Sequence, residues 1–168
     1  MIFSHGEDLF GSQPTQGNIA GGITTIEEKA IGTIMKIGKS PIMGILNTAE
    51  APSAPDLHFM NTSSAAADLV TAMAAAGAVM NVFVTGRGNN LGNPITPVVK
   101  ICANPRSCRL IPEHIDVDVS GVMSRETTLE QAGDKIMDCL IRTARGRFTA
   151  SEVLRHDEFA PTRLFPQS

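Results

Sequence analysis

The chain has 168 residues, and its 42% hydrophobic content is enough for a buried core and too high for a disordered polypeptide. Fourteen Lys and Arg stand against 17 Asp and Glu, a formal net charge of -3, and there is no Trp, no Tyr and only seven Phe. A basic stripe and a base-stacking platform are both missing from that composition, which excludes a dedicated nucleic-acid binder.

Residues 1–22 are rich in Gly, Ser, Gln and Asn with little periodicity, and read as an incoming loop or linker. MIFSHGEDLF lacks a basic segment followed by an apolar run, so it does not read as a secretory signal. A helix is expected from about Thr25, where Ile26, Ala30, Ile34 and Ile37 recur at helical spacing and mark a face to be buried. Both Thr24-x-x-Glu27 and Thr25-x-x-Glu28 match a capping box, and Gly38 and Pro41 stop the helix. PIMGILN follows as a short strand, EAPSAPDL as a turn-rich loop and LHFMN as a second strand.

Ser63 or Ser64 is placed to cap an alanine-rich helix that ends at Gly77. VMNVFV is the clearest strand, β-branched and apolar, with the glycine-rich loop TGRGNNLGNPITP directly after it. VVKICAN is strand-like again, and RSCRLIPEH reads as a short helix bounded by Pro112. Thr127-x-x-Glu130 and Thr128-x-x-Gln131 announce a helix with Leu129, Ala132, Ile136 and Leu140 on one face, closed by Gly146. Thr149-x-x-Glu152 opens a last short helix, and the tail after Phe159 reads as strand or coil.

Strands alternating with helices predict an α/β fold: a three-layer, mostly parallel, Rossmann-like sheet with helices on both faces, formed by residues 23–168 as one domain. Ligands of such sheets collect beyond the carboxyl ends of the strands, where TGRGNN should lie. The longest apolar run, AAADLVTAMAAAGAVM, is broken by Asp68 and Gly77 and does not suit a membrane span. Cys102, Cys108 and Cys139 cannot form an even disulfide framework, and their apolar flanks fit buried reduced thiols. A soluble, cytoplasmic protein is expected.

Four stretches could carry chemistry. GNIAGGITTIEEK has neither a dinucleotide fingerprint nor a P-loop. Its glycines Gly21 and Gly22 permit close backbone approach, and Thr24 and Thr25 add hydroxyls at a helix start, where free N–H groups attract anions. Two readings stand side by side: plain capping with Glu27 and Glu28 complementing the helix dipole, or a grip on a substrate carboxylate. Glu27, Glu28 and Lys29 point about 100° apart and cannot all converge on one ligand. In VFVTGRGNN, Arg87 is held at a strand tip by Gly86 and Gly88, after Thr85, and its fork suits a carboxylate. Its alternative is a tight turn with the arginine in water. Lys100, inside VVKICAN, either orients an anion together with Asn104 or snorkels past a sheet edge.

EHIDVDVSG gathers Glu113, His114, Asp116 and Asp118 but lacks metal-ligand spacing, so a surface turn is the expectation. His5, His58 and His156 are isolated in the sequence and suggest structural roles. Ser63 and Ser64 lack the setting of a hydrolase nucleophile.

Gly17–Lys29, Thr85–Gly88 and Pro97–Asn104 follow one another as GN-x-x-GG-(I/L)-TT-(I/L)-EEK, TGRG and P-x-(V/I)-K-I-x-x-N. In this order they resemble the carboxyl-terminal part of the altronate dehydratase and galactarate dehydratase family. The likeness extends through Ile115-Asp116 to Thr149–Glu152, essentially the whole chain. It implies a lyase that removes a β-substituent from a hydroxy acid: water from a sugar acid such as altronate or galactarate, often with ferrous iron. A branch of the family resembles sulfolactate sulfo-lyase, which expels sulfite. NNLGNP after TGRG departs from the sugar-acid pattern, and FMNTSSAAADLVTAMAAAGA and EHIDVDVSG are closer to the sulfo-lyase branch. The resemblance also implies a missing amino-terminal part, where metal ligands could lie, and a homo-oligomer or a lyase subunit partner. Glu28 or Lys29 would then serve as acid or base, and Arg87 and Lys100 would clamp the carboxylate. Gly22, Thr24 and Thr25 would donate at the helix start.

Overall fold

The computed structural model describes residues 14–63 and 65–160. His5, Ser64 and the tail beyond Ala160 lie outside them. Among the described residues, five strands and six α-helices follow in the order α1 (Gln16–Ala20), α2 (Ile26–Ile37), β1 (Gly44–Leu46), β2 (His58–Met60), α3 (Ala66–Ala75), β3 (Asn81–Thr85), β4 (Val98–Cys102), α4 (Pro105–Leu110), β5 (Val117–Asp118), α5 (Leu129–Ala144) and α6 (Ala150–Val153).

Every strand pairing among the described residues is parallel, as the alternation of strands and helices predicts. The strands divide into two small sheets rather than one: β1–β2, and β3–β4–β5 with β4 in the middle. The fold is therefore α/β. In the larger sheet Phe83 pairs with Lys100 and Cys102 with Asp118. Side chains alternate along β4, and the two sets meet different partners. Val99 and Ile101 join Val117 and Val119 against Ala132 and Cys139 of α5. Val98 packs instead with Val70 of α3 and Leu91. All five residues of β4 are buried, as befits a central parallel strand. Val98 and Val99 are 0% exposed, and full burial of each contributes about 1.5–3 kcal/mol.

Helix starts follow the threonines. Thr128 and Thr149 each close a complete capping box, with Gln131 and Glu152 respectively. Such caps contribute about 1 kcal/mol each by pairing backbone N–H groups that the helix leaves open. Of the two boxes overlapping at α2, Thr25 is the cap, its hydroxyl accepting from the Glu28 N–H at 3.2 Å.

Four expectations need correction. Residues 14–22 are not all loop: Thr15 and Asn18 form a capping box that starts α1. The apolar side of α2 is only partly buried: Ile26 and Ile37 are half-buried, but Ile34 is 66% exposed and Ala30 is open as well, since no neighbouring layer covers them among the described residues. On α5, Ala132 is buried with Ile136 and Leu140 packed beside it, but Leu129 lies 79% exposed at the first turn. The amino end of α3 has Ala65 in the cap position with no side-chain cap; Ser63 instead accepts from the Ala65 N–H at 3.1 Å.

Candidate functional site

The loop after β3 is built to hold an arginine. Thr85 ends the strand, half-buried, and Gly86 turns outward. The Ser107 hydroxyl of α4 donates to the Gly86 carbonyl at 3.0 Å, tying the loop to the helix that follows β4. Gly88 has φ +82°, and a Cβ there would stand 2.0 Å from Cδ1 of Ile111. No other residue fits that position without moving Ile111 and straining the backbone.

Between these two anchored glycines Arg87 is exposed, and its guanidinium lies against Gly17 of α1. An ideal Cβ on Gly17 would stand 3.3 Å from Nη2 of Arg87. The GN-x-x-GG and TGRG segments, 70 residues apart in the sequence, therefore meet in the folded chain. Asn104 lies at the carboxyl end of β4, the same end as this loop. Its side chain caps α4 by accepting from the Arg106 N–H at 2.9 Å.

Gly21 ends α1 and Gly22, at φ +96°, turns the chain toward α2. Thr24 and Thr25 are exposed there, with Glu27 and Glu28 in the first turn of α2 and Lys29 half-buried behind them. The Glu28 carboxylate accepts from both the backbone N–H and the hydroxyl of Thr24, at 2.8 Å each. The backbone bond first, then the hydroxyl, hold this carboxyl below the usual glutamate range. At neutral pH Glu28 is thus an ionised acceptor for Thr24.

Lys100 takes a different place. It is 0% exposed in the middle of β4, and its Nζ has no hydrogen-bond partner among the described residues. Burial pulls its ammonium below the ordinary lysine value, and Asp116 and Glu158 offset part of that pull. Asp116 is held by backbone: its carboxylate accepts from the Lys100 N–H at 2.7 Å and from the Ala150 N–H at 2.7 Å. Glu158 accepts from the Gly92 N–H at 3.0 Å and sits 3.3 Å from Nδ1 of His156. His156 in turn lies beside His114, ring centroids 5.4 Å apart. The spacing of these residues in the sequence carries no sign of this cluster, because its members come from five separate segments.

Among the described residues, no three His, Cys, Asp or Glu side chains stand together as a divalent metal requires. Cys108 contacts Asp118 and Cys102, but burial, followed by these two neighbours, pushes its thiol up to about 12. Asp118 is spent on the Ser120 N–H at 2.8 Å. By themselves the described residues therefore form no ferrous site. No helix among them is long and apolar enough to cross a membrane.

The chain matches the family described as D-galactarate/altronate dehydratase, C-terminal, over residues 1–167. It is 58% identical over 159 residues to (2R)-sulfolactate sulfo-lyase subunit beta of Chromohalobacter salexigens, covering 94% of this chain and 41% of that protein. It is 32% identical over 151 residues to altronate dehydratase of Escherichia coli, covering 90% of this chain and 30% of the relative. Identity to galactarate dehydratase (L-threo-forming) of the same organism is 29% over 136 residues, 81% of this chain and 26% of the relative. The chain spans well under half the length of each of these proteins. From the meeting of its motifs at the β3 tip to the match along its length, the chain belongs to the C-terminal family of the galactarate and altronate dehydratases.

Proposed function

We propose that the chain is the C-terminal domain of a lyase that eliminates the β-substituent of a 2-hydroxy acid, and that its substrate is sulfolactate. The carrying observation is the 58% identity to a sulfo-lyase subunit, against 32% and 29% to the two sugar-acid dehydratases. In this reading a base takes the proton from the carbon beside the carboxylate, and the electron pair expels sulfite from the next carbon. The resulting enol becomes pyruvate. Arg87 binds an anionic group of the substrate through its exposed fork, with Thr85, Gly86 and Gly88 setting its position. Thr24 and Thr25 border the same substrate, and Glu28, held ionised by Thr24, organises that turn rather than serving as the base. Glu27 or Lys29 supplies the base.

Lys100 contributes from within β4, to the electrostatics of the fold rather than by contact. The ferrous cofactor implied by the family takes its ligands from outside the described residues. The complete lyase, cytoplasmic and composed of more than one subunit, would carry the full three-layer Rossmann-like sheet of which β3–β4–β5 is a part.

The test is an anaerobic elimination assay on the whole lyase with sulfolactate, altronate and galactarate in parallel, following sulfite and 2-oxo acid separately. Equal amounts of sulfite and pyruvate from sulfolactate are expected. A 2-keto-3-deoxy acid from altronate or galactarate, with no sulfite from sulfolactate, selects the dehydratase reading instead. Arg87→Ala should lower kcat/KM by about 100-fold, the loss typical of a removed oxyanion ligand, and Arg87→Lys should not restore it. An unchanged kcat/KM in Arg87→Ala removes the arginine from the site.

A further inference from the structure

Among the described residues, α2 and the β1–β2 pair are each left without a covering layer. The pair has two strands of three residues each. An isolated parallel pair of that size is not stable in water, and parallel sheets are normally covered on both faces. Ile45 pairs with Phe59, and one step earlier the Met43 N–H donates to the Leu57 carbonyl at 2.8 Å. Met43, Ile45, Leu57 and Phe59 thus form one apolar face, and they are 61%, 76%, 44% and 46% exposed. On α2, Ile31, Ile34 and Met35 form a stripe at helical spacing, all more than half exposed. Monomeric proteins rarely leave apolar faces of this kind open. Among the described residues no further strand pairs with either outer edge, which leaves backbone groups open there.

We propose that these two faces dock a further α/β unit of the lyase, supplied by a stretch of subunit such as lies outside the match in the sulfo-lyase subunit. That unit adds strands to the β1–β2 edges and covers the Met43–Phe59 face, with α2 packed on the resulting sheet. Three observations on this chain point to one such occupant. Open parallel edges call for strands, a bare sheet face calls for a layer, and the helix stripe calls for a sheet beneath it. The matched 159 residues are 41% of the sulfo-lyase subunit, so more than half of that protein lies outside the match. This leaves room for at least one domain of ordinary size, about 100–150 residues. The inference rests on the family and is independent of the leaving group.

The probe is the part of the Chromohalobacter salexigens sulfo-lyase subunit beta outside the match, used both as a separate chain and fused to this chain in the relative's own order. In the fusion, the amides of Gly44–Leu46, His58–Met60 and α2 should exchange with solvent about tenfold or more slowly than in this chain alone. Ile45→Glu should abolish that slowing and weaken association with the separate probe by about tenfold or more. Leu129→Glu, on the equally exposed start of α5, should do neither. Equal exchange in the fusion and the isolated chain overturns the proposal, whatever the separate probe does. So does a homodimer of this chain alone that Ile45→Glu disperses, since it gives the face to a second copy. Sulfite or keto-acid formation by the fusion tests the proposed reaction separately.

Discussion

Lys100 is the residue whose environment departs furthest from its chemistry. A lysine with a depressed folded pKa holds its proton less well in the folded chain than in the unfolded one. It therefore subtracts stability at all pH values below the ordinary lysine range, and that loss is recovered as pH rises toward the range. Its carboxylate neighbours do not depend on it alone, since Asp116 and Glu158 keep their backbone donors. Lys100→Met should therefore leave stability unchanged or raise it by about 1 kcal/mol at pH 7. In urea unfolding from pH 7 to 10, the wild type should gain on the variant as pH rises. A loss above about 2 kcal/mol in Lys100→Met would show that the ammonium holds the fold together. Most of the candidate residues near Arg87 were legible from type and spacing alone: glycines, threonines and an arginine at a strand tip. The burial of Lys100 was not, because a lysine in an apolar run reads equally as orienting an anion or as snorkelling past a sheet edge until its neighbours are known.

At the scale of elements, the segment from Arg155 to Ala160 acts as a strap across the sheet's loops. Its contacts are the Glu158 bond to Gly92, the His156 ring beside His114, and the Ala160 N–H donating to Thr71 at 3.0 Å. The strap comes so near that a Cβ on Gly92 would stand 1.7 Å from the His156 carbonyl oxygen. Both sides of that contact are backbone, so neither can yield by a rotamer change. Gly92→Ala should cost about 2–4 kcal/mol in urea unfolding, and a cost under 0.5 kcal/mol would show that the strap is loosely held. Burial alone would raise the Glu158 pKa, but the Gly92 N–H and His156 more than offset it and hold the carboxyl low. A carboxyl depressed in the folded state contributes stability above the ordinary glutamate range and loses it as pH falls through its folded value. The protection factor of the Gly92 amide, its rate taken relative to the intrinsic rate at each pH, should fall at acid pH before that of the core, and Glu158→Gln should flatten that response. Helix starts were legible here because threonine caps act within four residues. The strap was not, since each of its contacts joins segments far apart in the chain.

Across the whole molecule, cohesion is uneven. β4 is buried throughout, whereas β1 and β2 alternate between half-buried and exposed. In this chain alone the amides of Val98–Cys102 should exchange only by global unfolding, and those of Gly44–Leu46 by local opening at much lower free energy. Native-state exchange measured across a denaturant series checks this; equal protection of the two segments would contradict it. The parallel pairing followed from the order of elements. Its division into two sheets did not, because pattern along a chain states which residues want cover but not what provides it.

The sequence by itself determined the family, the α/β class, most strands and the threonine-capped helices, since motif order, periodicity and caps are written in short ranges of residues. Only the tertiary structure decided that Arg87 rests on Gly17, that Lys100 is enclosed near Asp116 and Glu158, and that Ala30 and Ile34 of α2 stay exposed. Those facts depend on contacts between distant segments. They are settled by packing and desolvation across the whole fold, which no local pattern encodes.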